Sequence, residues 1–270
     1  MFDVSSRAIL RTFDSHKQPV HVTKFSPLAP THVLSCSDDT TVKLWDIPSQ
    51  SEIVSFAAHS DYVRSGQVSP SNPHLVLTGS YDATTRLFDS RTGQCELLMG
   101  APSPGASPVE QVLMLPSGTV ALSAAGPILR MWDLNAGGRC IRALSNHQKT
   151  ITSLAFDANV ARLLTGSLDQ MVKVYDIASY KVVHTMRYPA PVLSLAISVG
   201  NAPPSLPLRL ILPTARLDTH RRRDVRRHPF RPSTAAQAIP KWSRLGRRAD
   251  NWHLRNVPGR RPFIGRPGPR

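Results

Sequence analysis

The chain has 270 residues, long enough to bury one sizeable core. Its formal charge of +15 invites a nucleic-acid reading, but residues 201–270 hold 17 of the 33 Lys and Arg against 3 of the 18 Asp and Glu, so the rest carries only +1. The three cysteines, Cys36, Cys95 and Cys140, form no Cys-x-x-Cys and stand at no equivalent positions, which signals neither a disulfide frame nor a zinc site and reads as buried free thiols in a reducing compartment.

Taken in order, MFDVSSRAIL lacks the charged start and apolar run of a signal peptide. Residues 1–15 read as the end of a repeat unit, with Phe2-Asp3 closing a third strand and Ala8–Phe13 forming an outer fourth one. The first full unit spans residues 16–58, with strands expected at Val20–Phe25, Val33–Ser37, Thr41–Asp46 and Glu52–Ala57. Its centre, SCSDDTTVKLWD (Ser35–Asp46), alternates polar and apolar residues around a tight turn at Asp38-Asp39-Thr40, the pattern of a β-hairpin. The second unit, residues 59–105, repeats this as TGSYDATTRLFD, with strands at Val63–Val68, Leu75–Ser80, Thr85–Asp89 and Gln94–Met99. A Pro-, Gly- and Ser-rich loop leads into the third, residues 106–146, where SAAGPILRMWD is a weaker copy; its strands are Val109–Leu115, Thr119–Ala124, Ile128–Asp133 and Arg139–Leu144. The fourth, residues 147–187, carries TGSLDQMVKVYD and strands at Ile151–Phe156, Arg162–Ser167, Val172–Asp176 and Val182–Arg187. A partial fifth unit, residues 188–198, supplies one strand from Val192 to Ser198. The apolar run there, the longest in the chain, is too short to span a bilayer, so no membrane partner is expected.

The closing aspartates Asp46, Asp89, Asp133 and Asp176 lie 43, 44 and 43 residues apart. A histidine leads three units: His16 precedes Trp45 by 29 residues, His59 precedes Phe88 by 29, and His147 precedes Tyr175 by 28. This period, the hairpin and the His…Asp…Trp-Asp spacing resemble the WD-repeat family. The resemblance implies an all-β fold, a partial β-propeller of about four full blades plus fragments. It also implies a buried hydrogen-bond network in each blade, built here from His16, Ser35, Asp39 and Trp45, then His59, Thr78 and Asp82, then His147, Thr165, Asp169 and the Tyr175 hydroxyl. Phe88 has no N–H to contribute. The third unit has no leading histidine and Gly126 where the aspartate belongs, so Trp132 is expected to lack the network. With an outer strand at one end and an inner strand at the other, the chain reads as an internal piece of a larger propeller.

Residues 199–270 break the pattern. Arg, Pro and Gly dominate without period, a composition that favours disorder. Two readings stand side by side: a basic tail whose clusters Arg221, Arg222, Arg223, Arg226, Arg227 and Arg247, Arg248 hold RNA or act as a nuclear address, and an extension outside the native reading frame.

The His and Asp pairs recur at one offset in successive units, which marks a structural device; an active site occurs once. No catalytic triad, phosphate-binding glycine loop or metal spacing is present in the sequence, so no enzyme activity, metal, cofactor or small-molecule substrate is expected. Tyr62, Arg64, Tyr81 and Lys149, just after the leading His or just before the turn Asp, fall where the blades should surround the axis and are candidate protein-binding residues. Phe88-Asp89-Ser90-Arg91 resembles the Trp-Asp-x-Arg signature of WD-repeat substrate receptors of cullin ubiquitin ligases, an alternative reading in which Arg91 makes the contact.

Several stretches are more particular, among them VKLWDIPSQSEIVSF, TGSYDATTRLFDSRTG, SAAGPILRMWDLNAGGR and GSLDQMVKVYDIASYKVVHTMRYPAPVLSLAIS. Together they resemble the fifteenth of the U-three small nucleolar RNA-associated proteins, over about residues 2–198. That resemblance implies a nucleolar scaffold subunit of the small-subunit processome, acting in pre-ribosomal RNA processing and linked to ribosomal-DNA transcription. The partners it implies are other processome proteins, the U-three ribonucleoprotein and pre-ribosomal RNA, with direct RNA contact left open.

Overall fold

The computed structural model describes Met1, residues 5–101, 105–157 and 159–197, and the backbone of Leu210–Ile211. Two compact units, Met1–Arg216 and Leu217–Arg270, divide the chain. The second lies outside the described residues, as do Phe2, Asp3, Ser198 and the arginine clusters at 221–227 and 247–248.

The described residues of the first unit include four antiparallel sheets of four strands. Blade 1 contains β1 (Val20–Phe25), β2 (His32–Ser37), β3 (Val42–Asp46) and β4 (Ser51–Phe56). Blade 2 contains β5 (Val63–Val68), β6 (Leu75–Ser80), β7 (Thr85–Asp89) and β8 (Gln94–Met99). Blade 3 contains β9 (Val109–Met114), β10 (Val120–Ala125), β11 (Ile128–Asp133) and β12 (Arg139–Leu144). Blade 4 contains β13 (Ile151–Phe156), β14 (Arg162–Ser167), β15 (Met171–Asp176) and β16 (Val182–Arg187). Each is a meander in chain order, and the first strands, β1, β5, β9 and β13, adjoin in turn as the innermost row. Such sheets are the blades of a WD-repeat propeller.

The core lies between blades rather than within them. Leu34, Cys36, Val42, Leu44 and Phe56 on the forward face of blade 1 pack against Val63, Val68, Val76 and Phe88 on the receiving face of blade 2. Leu77, Leu87 and Met99 meet Val109, Met114, Ala121 and Trp132 in the same way, and Leu122, Ala124, Leu129 and Met131 meet Ile151, Leu154, Leu163 and Tyr175. Second strands are therefore covered on both sides, and in β2, β6 and β10 five of six residues are buried. On the receiving face of blade 1, Phe13 lies against Trp45 with ring centroids 5.2 Å apart. Val20 and Phe25 there are 45% and 60% exposed, while their counterparts Val63 and Val68 are 0% and 1% exposed.

Three expectations need correction. Ala8–Phe13 is not a strand: Ile9 makes an isolated bridge, and the Leu10 N–H donates to the Met1 carbonyl at 2.9 Å. Its expected neighbour, Phe2-Asp3, lies outside the described residues, and among those described the backbone hydrogen bonds of Leu10 and Arg11 go to Met1. The fifth-unit strand shortens to β17 (Ala196–Ile197), which pairs with β18 (Leu210–Ile211). Val192 and Leu195 nonetheless cover Leu164, Val172 and Val174 of blade 4, as the innermost strand of a following blade would. Of the three free cysteines only Cys36 is buried, which pushes its thiol up to about 12; Cys95 and Cys140 lie on the outer strands β8 and β12, where one face meets solvent.

One position pairs small with large across every junction. The second strands present Cys36, Gly79, Ala124 and Gly166; the next innermost strand answers with Gly66, Val112 and Leu154, and the segment after blade 4 with Leu195. A Cβ on Gly79 would stand 2.7 Å from Val112 Cγ1 and 2.6 Å from Val109 Cγ1, and one on Gly166 would stand 3.1 Å from Leu195 Cγ. Gly79→Ala should therefore destabilise by about 1–3 kcal/mol through overpacking. Adding Val112→Ala should recover part of that loss, since the two sites share one contact. Urea unfolding of the single and double variants checks this; purely additive losses would contradict the pairing.

Candidate functional site

Three blades carry a relay at the same place. His16 Nδ1 lies 2.8 Å from Asp39 Oδ2, His16 Nε2 lies 2.7 Å from Ser35 Oγ, and the Trp45 Nε1–H donates to Ser35 Oγ at 2.8 Å. A carboxylate accepts only, so Nδ1 carries the proton, Nε2 accepts from the serine hydroxyl, and the serine oxygen accepts from the indole. In blade 2, His59 reaches Asp82 at 2.8 Å and Thr78 Oγ1 at 2.7 Å, and its ring meets Phe88 edge-on with no hydrogen bond between them. In blade 4, His147 reaches Asp169 at 2.8 Å and Thr165 Oγ1 at 2.7 Å. The Tyr175 hydroxyl lies at the end of this relay beside Thr165 and also has Asn146 Oδ1 at 3.4 Å; burial pushes its pKa up to about 12. Trp132 has a single remaining partner, donating to Ser123 Oγ at 2.8 Å.

The relays also tie down turns, through residues that the spacing argument passed over. The Asp39 backbone N–H donates to Ser37 Oγ at 3.1 Å, and Ser37 Oγ–H donates to the Gln18 carbonyl at 3.0 Å. Ser80 does the same between Asp82 and Asp61, and Ser167 between Asp169 and Lys149. Thr41 and Thr84 hydroxyls donate to Asp39 and Asp82 at 2.6 Å. The signal was available, since a serine stands two residues before the turn aspartate in all three units. Burial pushes the Asp39 carboxyl up, but hydrogen bonds from Thr41, the Lys17 N–H and His16 outweigh it and hold the group well below its ordinary range. Asp82 and Asp169 are lowered in the same way, while burial lowers His147 against the pull of Asp169.

A second group lies at one end of the innermost strands. The pairing register of each skips one residue, His21 in β1, Arg64 in β5, Glu110 in β9 and Thr152 in β13. Such bulges re-aim a side chain without lengthening the sheet. His21 Nε2 lies 2.7 Å from Asp38 Oδ2, and Arg64 Nη1 lies 3.0 Å from His21 Nδ1. Arg64 also stacks over Tyr81, 5.2 Å from the ring centroid, and Tyr81 Oη–H donates to Glu110 Oε1 at 3.0 Å. Tyr62 stands 6.3 Å from Tyr81 and is 48% exposed. Asp38 Oδ1 is shielded from solvent yet accepts no hydrogen bond among the described residues; Arg64 Nη1 is 4.0 Å away. Asp38 thus faces the Arg64 guanidinium, and the Glu110 carboxylate is held by Tyr81, whose ring neighbours the exposed Tyr62. The structure brings Tyr62, Arg64 and Tyr81 of blade 2 together between blades 1 and 3, whereas the exposed Lys149 belongs to blade 4 and among the described residues makes no side-chain hydrogen bond or ion pair. His21, Asp38 and Glu110 complete the group.

Arg91 is held by Asp89, whose carboxyl its guanidinium lowers to about 2, and its side chain is 62% exposed. Among the described residues no cluster of three or more His, Cys, Asp or Glu is placed to hold a metal ion, and no helix is long and apolar enough to cross a membrane.

Blades stacked through apolar faces and pinned by His–Asp relays define a WD-repeat protein, and the family described as WD domain, G-beta repeat matches residues 7–46, 50–89 and 138–176. The matched segments pass over the hairpin of blade 3, where the His and Asp are missing. The chain resembles U3 small nucleolar RNA-associated protein 15 of Schizosaccharomyces pombe, with 43% identity over 199 residues, 73% of this chain and 39% of that protein. The homolog from Gallus gallus is 46% identical over 199 residues, 73% of this chain and 37% of the relative, and the human homolog is 50% identical over 91 residues, 34% and 18% respectively. The chain spans about two fifths of the length of the relatives it matches at this coverage.

The lowered groups fix a pH response. His147, ordinarily at 6.5, is lowered in the fold, so its contribution is complete above that value and declines as the unfolded chain takes up a proton at lower pH. The three aspartates, ordinarily at 3.8, contribute above that value and lose it as pH falls through their folded-state range. Melting temperature should fall between pH 7 and 5 and again below 4, and His147→Gln should flatten the first step. Differential scanning fluorimetry across pH measures this; an unchanged first step in His147→Gln would contradict it.

Proposed function

We propose that this chain is a non-enzymatic scaffold subunit of the nucleolar small-subunit processome, acting in pre-ribosomal RNA processing in the nucleus. The observation that carries the proposal is the likeness to U3 small nucleolar RNA-associated protein 15 over 73% of the chain, joined to histidines and aspartates committed to relays that hold the blades. The group at the inner strand ends supports a protein-contact role. Tyr62 and Tyr81 offer aromatic surface, and Glu110 offers a carboxylate beside them, a setting for a donor-rich segment of a processome protein. Lys149 joins this face as a peripheral contact. Tagged full-length chain expressed in cells should recover U3 RNA and processome proteins, and Tyr62→Ala with Tyr81→Ala should reduce the protein yield. Recovery of neither RNA nor processome proteins by the unaltered chain would sink the proposal.

Charge assigns any direct RNA binding to the arginine clusters of residues 221–248. Neutralised phosphates release counterions, at roughly one unit of logarithmic salt slope each. The whole chain should therefore bind single-stranded RNA without sequence preference and weaken steeply with salt, whereas residues 1–198 alone should bind weakly with a shallow slope. Fluorescence anisotropy titrations at several salt concentrations measure both slopes; equal slopes would place the RNA contacts on the blades.

A further inference from the structure

Blade 3 keeps half of a relay and does not refill the rest. Ser123 is 1% exposed and its oxygen accepts the Trp132 indole N–H at 2.8 Å. At the same place in the other blades, the hydroxyl proton goes to an imidazole nitrogen 2.7 Å away. Among the described residues the Ser123 proton finds no such acceptor. The hairpin is also one residue tighter, with Ser123 nine residues before Trp132 where Ser35 is ten before Trp45. In place of the missing imidazole and carboxylate there is a half-open cavity of about 350 Å³ between blades 2 and 3, whose lining includes Thr85, Val109, Ser123, Ala125, Arg130 and Trp132 together with the small residues around Gly100 and Gly105.

Arg130 is the second observation. A basic residue stands two positions before the aromatic in every blade, and two of its counterparts are engaged: Lys43 pairs with Glu52 at 2.6 Å, and the Arg86 Nε–H donates to Thr84 Oγ1 at 3.3 Å. Arg130 pairs with no carboxylate among the described residues. The cavity thus combines a desolvated hydroxyl donor, a guanidinium and apolar walls from Val109, Ala125 and Trp132, and it lacks an anionic acceptor. A buried donor without an acceptor costs free energy that a matching ligand recovers, and guanidinium pairs best with planar oxyanions.

We propose that this cavity binds a carboxylate carried on a short aliphatic stem, the chemistry of a glutamate or aspartate side chain. One carboxylate oxygen accepts from Ser123 Oγ–H, the pair of oxygens faces Arg130, and the methylenes lie against Val109 and Trp132. The volume admits such a side chain together with part of the backbone that presents it. This assignment is independent of the processome reading and of the group at the inner strand ends.

The test uses the full chain labelled with ¹⁵N, following the Trp132 indole N–H resonance, which is identified by its loss in Trp132→Phe. N-acetyl-glutamate amide should move this resonance saturably, and the neutral N-acetyl-glutamine amide should not. Arg130→Met, which keeps most of the side-chain length, should weaken the response ~10-fold or more, the usual loss for a charge-assisted pair. Arg91→Met should leave it unchanged. Binding of an internal glutamate in a short peptide as well would assign a partner's side chain as occupant; binding of the free amino-acid analogue alone would assign a small carboxylate. Equal responses to the glutamate and glutamine analogues in the unaltered chain, or an Arg130→Met titration matching it, would overturn the proposal.

Discussion

A four-stranded antiparallel sheet has two apolar faces and no interior of its own, so none of these blades buries its hydrophobic residues without a neighbour. Everything else in the fold answers that constraint. Forward faces rich in Leu and Met meet receiving faces that carry Val, Ile and an aromatic residue. Where the backbones approach most closely, one partner gives up its side chain, as Gly79 does beneath Val112 and Gly66 does above Cys36. The repeat is therefore a rule about pairs of blades, because the volume at one position of a blade is set by the next blade in line.

Polar relays add direction to this packing. The blade 1 relay runs one way, from indole to serine to imidazole to carboxylate, and Asp39 also accepts from the Lys17 and Thr41 N–H groups of the turns. Blade 3 shows what depends on the relay and what does not. Without His and Asp its four strands still form, since its apolar faces are intact, but the space beside Trp132 remains open.

Strands with strict alternation and a tight turn were legible almost to the residue: β1, β5, β6, β7, β8 and β11 to β14 coincide with their expected bounds, as does β16. Local pattern suffices there because the neighbouring strand is also local. Ala8–Phe13 and Val192–Ser198 carry the same kind of alternation, but the neighbours expected of them, Phe2-Asp3 and residues 199–209, lie outside the described residues. The side chains of the relays were nameable from their offsets, while the added contact of the Tyr175 hydroxyl with Asn146 had no offset to betray it. Likewise Tyr62, Arg64 and Tyr81 were singled out one at a time; that His21, Asp38 and Glu110 join them follows from the adjacency of three blades, which no single repeat contains.

The skipped residue in each innermost strand has a further meaning. In a regular strand, every side chain is either core or surface, and an insertion swaps the two sets along its whole length. A residue left out of register is exempt from that bookkeeping. His21, Arg64, Glu110 and Thr152 occupy one geometric position yet share neither charge, size nor shape. The fold thus holds a small panel of sites whose chemistry can be rewritten one blade at a time, while the hydrophobic frame behind them keeps the same text.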